Sequence, residues 1–238
     1  MAASLEIQNL QKQFDKKVVL DQAAYTFYQG KIYSILGRNG AGKTTLFKCI
    51  NHDLRYEEGV IRLQEDGLSR KPAFDDIGLV SASPVLPEFM TGYEFIYFFM
   101  KLNPSNLNGK TIGEFFELVN ISEEDQHKLI RSYSYGMKNK LQLLCCLIRD
   151  PLIILLDEPL SSFDIIVSHE IKELLIRMKD SHIILMATHI MQLAQDISDQ
   201  IVLLRNGHLE DPEIPDIHSA DFESQIIREL EEEGGTKK

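Results

Sequence analysis

Polar and apolar positions alternate over the first 36 residues, in Leu5-Glu6-Ile7-Gln8, Val18-Val19-Leu20 and Ala24-Tyr25-Thr26-Phe27, with turn residues between them. A two-residue period puts one face of each segment in a core and the other in solvent, so the pattern predicts short antiparallel strands. The texture then changes. Residues 31–36 form a compact apolar run that ends in glycines, and residues 44–50 carry helix-compatible apolar spacing, which predicts strand, loop and helix in that order. From about residue 81 to 131, aromatic and aliphatic residues recur in the segments 93–100 and 112–119, separated by Asn103-Pro104-Ser105-Asn106. That spacing predicts an inserted helical lobe. Beyond Pro151 the runs 152–156, 183–186 and 201–204 are apolar throughout, as strands buried on both faces must be, and helical segments lie between them. The two halves together predict an α/β core. After Gly207 an acidic tail places Phe222, Ile226, Ile227 and Leu230 on one face of a helix that packs back on the domain, with residues 234–238 as a frayed end.

Composition removes alternatives more than it adds to this picture. The 238 residues are 44% hydrophobic and 26% charged, an ordinary balance for a chain with a real core. A formal net charge of -11 argues against nucleic acid or an anionic membrane surface as the main partner, because both reward clustered Lys and Arg. No apolar run approaches the roughly 20 residues that span a bilayer, and the first residues lack the basic and apolar stretches of a secretory leader. A cytosolic location is expected. Cys49, Cys145 and Cys146 lack metal-ligand spacing and read as reduced, structural thiols.

The strongest local signal is Gly37-Arg38-Asn39-Gly40-Ala41-Gly42-Lys43-Thr44, a phosphate-binding loop between a predicted strand and a predicted helix, followed by Thr45. Its glycines let successive backbone N–H groups turn inward around phosphate at the positive end of the helix. Lys43 is expected to reach the outer phosphates as a point charge, and the Thr44 hydroxyl to ligate Mg²⁺. The second signal is Asp157-Glu158, two consecutive carboxylates at the C-terminal end of a buried strand, where open α/β sheets bind their ligands. Asp157 is the candidate to hold Mg²⁺ through its water shell, and Glu158 the candidate general base that polarises an attacking water.

Many nucleotide enzymes carry those two features, so what lies between and after them decides. Ser132-Tyr133-Ser134-Tyr135-Gly136-Met137-Lys138-Asn139-Lys140-Leu141 resembles the signature segment of ABC cassettes, usually Leu-Ser-Gly-Gly-Gln followed by a basic helix. Ser134 and Gly136 keep their places, while Tyr133, Tyr135 and Met137 depart from the pattern. Ser161-Ser162-Phe163-Asp164 follows the acidic strand as the family's D-loop does, and Ala187-Thr188-His189 ends the next strand where a switch histidine belongs. Phe14 matches the aromatic that stacks on adenine. The position that normally carries Gln falls on Ala82, when Ile77-Gly78 and the Met90-Thr91-Gly92-Tyr93-Glu94-Phe95 run, similar to that of exporter cassettes, are matched to the family.

The resemblance covers roughly residues 4 to 210. It implies an ABC cassette of α/β class: an antiparallel β subdomain and mostly parallel core (1–80 and 151–210), a helical lobe with the signature segment (81–150) and a tail (211–238). It implies a Mg-dependent ATPase whose ATP is bound by Phe14, Gly37 to Thr45, and Ser134 and Gly136 of a second nucleotide-binding domain, in a homodimer or heterodimer, with Lys43, Glu158 and His189 catalytic. It also implies a transmembrane permease on another chain, at the inner face of the cell membrane, and export of peptide, antibiotic or polymer. The competing expectation is a soluble ABC ATPase of translation or repair; such relatives usually join two cassettes or insert long coiled coils, and neither occurs here. A P-loop small-molecule kinase would leave the signature segment and the Asp157-Glu158 pair unexplained.

Overall fold

Alternation at the N-terminus folds into two antiparallel strands, β1 (Ser4–Phe14) and β2 (Lys17–Tyr28), paired from Ser4↔Tyr28 to Phe14↔Lys17. The computed structural model describes residues 2–107, 109–159, 165–213, 216–219 and 221–231. These strands are 11 and 12 residues long rather than short, and the apolar runs at 18–20 and 24–27 belong to one strand instead of two. The reason is bulging. Asn9 and Gln22 take left-handed backbone (φ 50° and 48°), and the register shifts between Ile7 and Leu10. Each shift resets the alternation while the strand continues. With β4 (Glu58–Glu65) and β5 (Leu68–Arg70) they form a four-stranded antiparallel sheet in the order β2-β1-β4-β5.

The second sheet holds β3 (Lys31–Leu36), β6 (Ile77–Val80), β7 (Ile153–Asp157), β8 (Ile183–Ala187), β9 (Gln200–Arg205) and β10 (His208–Glu210). Its order is β10-β9-β3-β8-β7-β6, with every pairing parallel except the antiparallel β10–β9 edge. β7 and β8 are buried along their whole length because both faces are covered. On one face Tyr33, Ile35, Ile153, Leu155, Ile183 and Leu185 meet α1 (Lys43–Ile50) and the antiparallel sheet. Leu156, Ile184 and Met186 face the other way, toward the helices.

That second face is roofed by α5 (Tyr135–Arg149) and α6 (Ile165–Met178). Between β6 and α5 stand α2 (Gly92–Leu102), α3 (Ile112–Leu118) and α4 (Glu123–Gln126), the predicted helical lobe. Thr91 with Glu94, and Thr111 with Glu114, close reciprocal capping boxes that start α2 and α3. Ile96, Phe116 and Ile130 of the lobe share one core with Leu141 and Leu144 of α5, so α5 joins lobe to sheet.

The tail helix α8 (Phe222–Glu231) packs on the domain as expected, near α7 (Met191–Ile197). Phe222, Ile226 and Leu230 bury against Leu36, Ala194, Ile201 and Leu203. Ile227, expected on that face, is 41% exposed. A spacing of four residues nearly repeats the helix, whereas the next residue turns about 100° away. Among the described residues no helix is long and apolar enough to cross a membrane.

Candidate active site

β3 delivers the chain into the loop at Gly37, and the first helical bond of α1 runs from the Leu46 N–H to the Gly42 carbonyl at 2.8 Å. Gly42 caps the helix with φ 111°, and a Cβ there would lie 2.8 Å from Cγ1 of Val19. Left-handed backbone against a β-branched wall leaves glycine as the residue that fits. Lys43 folds back over its own loop, its Nζ donating to the carbonyls of Gly37 at 2.7 Å and Arg38 at 3.5 Å. Burial pushes the Lys43 ammonium below its usual pKa, and the nearby carboxylates of Glu158 and Asp157 oppose that shift.

Across the loop, β7 ends in the two carboxylates. Asp157 is 4% exposed and accepts a bond from the Thr44 hydroxyl at 2.8 Å. Burial raises its pKa against the stabilising Thr44 bond. The hydroxyl and carboxylate form an oxygen pair of the kind that suits a hard divalent cation beside phosphate. Glu158 turns away through left-handed backbone (φ 52°), a conformation that costs about 1 kcal/mol for a side-chain-bearing residue. The Glu158 N–H donates to the Ala187 carbonyl at 2.9 Å, which ties the turn to the end of β8. Because β7 and β8 are parallel neighbours, with Asp157 opposite Ala187, the residues after both strands meet. His189 Nδ1 lies 2.9 Å from one Glu158 oxygen, and the Thr188 hydroxyl lies 3.4 Å from the other.

These elements enclose an open cleft of about 270 Å³, lined by Val19, residues 39–45, Ala82, Asp157 and Glu158. The predicted loop residues Asn39, Gly40, Ala41, Gly42, Lys43, Thr44 and Thr45 thus meet both predicted carboxylates, with Gly37 and Arg38 contributing the carbonyls under Lys43. His189 reaches the cleft through Glu158. Val19 was legible only as a strand residue, since nothing local marks the wall it forms against Gly42. Three predicted contacts lie elsewhere. Phe14 stands 46% exposed at the tip of β1, with Lys12 Nζ 5.2 Å from its ring centre. Ser134 and Gly136 start α5, where the Ser134 hydroxyl accepts from the Met137 N–H at 3.2 Å. Tyr133 is buried beside them and donates its hydroxyl to the Asp125 carbonyl at 2.7 Å. Residues 161–164, the expected D-loop, fall outside the described residues.

Known proteins share this architecture. The family model described as ABC transporter matches residues 20–161. An uncharacterised ABC transporter ATP-binding protein of Nostoc sp. is 34% identical over 82% of the chain, which spans 59% of that relative's length. The bacitracin transport ATP-binding protein of Enterococcus faecalis is 29% identical over 90% of the chain and 70% of its own length. A solved structure of an ATP-binding subunit of an ABC transporter superposes with a TM-score of 0.78 over 94% of the chain and 98% of that structure, at 22% identity, which bears on the fold. The chain belongs to the ABC transporter family and carries that family's ATP-binding cassette.

Proposed function

We propose that this cassette binds and hydrolyses ATP to drive a separately encoded transmembrane permease. The observation that carries the reading is the convergence on one cleft of Lys43, the Thr44–Asp157 bond of 2.8 Å and the Glu158–His189 contact of 2.9 Å. The N–H groups at the start of α1 cradle phosphate, and Lys43 trades its bond to the Gly37 carbonyl for the outer phosphates. Thr44 and Asp157 are the residues that would hold Mg²⁺, which supplies charge neutralisation at the phosphates. Glu158, fixed by His189 and Thr188, holds the attacking water and takes its proton. Phe14 stacks on adenine, and Ser134 and Gly136 grip the nucleotide of a second cassette.

In this reading residues 1–80 and 151–210 are the catalytic core, residues 81–150 the lobe and signature segment, and residues 211–238 the tail. The complex sits on the inner face of the cell membrane. Likeness to the bacitracin transport protein supports export of a peptide, antibiotic or polymer. A test of the hydrolytic step is Glu158→Gln. It should retain ATP affinity, lose at least about 100-fold in turnover and accumulate an ATP-bound dimer on size-exclusion chromatography. Hydrolysis near the wild-type rate would remove Glu158 as the base.

A further inference from the structure

The pairing of β6 with β7 ends at Val80↔Leu156, so the next amide, on Ser81, leaves the sheet at its open edge. The Ser81 N–H donates instead to Oε1 of Gln142 on α5, at 3.0 Å. Seating of α5 on β6 sets up this meeting. A Cβ at Gly78 would lie 2.5 Å from Sγ of Cys146, so the bare glycine lets helix and strand touch. One step along, Val80 shares a small apolar pocket with Asn139 and Leu143. The next step brings Ser81 to Gln142.

The loop beyond is short and anchored. The Ser81 hydroxyl accepts from the Ser83 N–H at 3.2 Å, so Ala82 is held between two tied residues. Ala82 forms part of the cleft wall with Lys43, Thr44, Asp157 and Glu158, yet its methyl group offers that cleft no hydrogen bond. What reaches the wall in polar form is the carboxamide behind it. Gln142 lies eight residues after Ser134, or about 12 Å along the helix axis.

We propose that Gln142 is a positioning residue for ATP hydrolysis: its carboxamide fastens the Ser81–Ser83 wall of the cleft to α5, so that the wall moves with the helix that begins at Ser134. The proposal rests on the ATPase reading above. The Gln142 carboxamide bonds to Ser81, a residue not assigned to nucleotide binding. The loop amides and Lys43 supply binding without it, so its loss falls on the geometry of the reacting end rather than on affinity.

The test uses the full chain and two variants. Gln142→Met keeps length and helix propensity but removes the acceptor, whereas Gln142→Glu keeps an acceptor oxygen. For Gln142→Met, kcat should fall about fivefold, the worth of one neutral hydrogen bond, with KM for ATP held within about twofold. Hydrogen exchange at residues 81–83, measured without nucleotide, should quicken by a similar factor, and Gln142→Glu should restore both quantities. Unchanged exchange in Gln142→Met overturns the tether, as does an equal loss in both variants accompanied by early melting, which would make residue 142 a packing residue. A wild-type chain that hydrolyses no ATP would instead sink the functional reading, while the exchange comparison still decides whether Gln142 holds the wall.

Discussion

Phe14 ends β1 with nearly half its surface in solvent, although a ring of that size gains most by burial. The Lys12 ammonium over the ring is itself held by an ion pair with Glu57 at 2.6 Å, so the aromatic face sits in a fixed frame at the strand tip. A preset ring suits stacking on a base. Phe14→Ala should weaken ATP binding by about 1–3 kcal/mol in titration calorimetry and leave tripolyphosphate almost unaffected. Equal losses for the two ligands would make Phe14 a folding residue. Lys43 and Thr44 could be placed from sequence because they open the helix that follows a glycine loop, and Asp157 and Glu158 because they close the apolar run of a buried strand. Val19 and Gln142 could not. Each acts on a partner far along the chain, Gln142 on an amide 61 residues away, and no local pattern distinguishes them from neighbours that merely pack.

At the scale of elements, periodicity identified every strand of the parallel sheet that it addressed, because burial on both faces leaves an unbroken apolar run. It failed at β1 and β2, where the bulges at Asn9 and Gln22 reset the alternation and mimic strand ends. In α8 it named the correct side of the helix but could not choose between adjacent isoleucines. Ile226 is fully buried against Leu36 and Leu203, while Ile227 points outward. Ile226→Ala should therefore lower unfolding free energy by about 2–5 kcal/mol in a denaturant titration, through lost burial and an unfilled cavity. Ile227→Ala should stay within about 0.5 kcal/mol of wild type. Similar losses at both positions would mean that the outward face of α8 is also covered in solution.

At the scale of the whole molecule, the ATPase reading requires the cleft on the core to inform the lobe and, through it, a second chain. In that reading two copies close on nucleotide although each carries a formal net charge of -11, so the attraction comes from the nucleotide held at the contact. Ala82 lines the cleft with Thr44 and Asp157, and in the same reading its methyl group leaves a cation held there to complete its oxygen ligands from water. Ordered water serves nearly as well as a side chain at small entropic cost, so hydrolysis itself should persist in the wild type. Ala82→Gln would add a carboxamide to a wall already tied to α5 through Ser81 and Gln142. In the ATPase reading, turnover of this variant should reach half its maximum at lower Mg²⁺. In liposomes reconstituted with the permease, stimulation by the partner should exceed that of wild type, because nucleotide, wall and signature helix would then be joined by direct contacts. If Ala82→Gln alters neither the Mg²⁺ dependence nor the stimulation, residue 82 does not face the reacting phosphate, and the Ser81 or Ser83 hydroxyl becomes the group to replace.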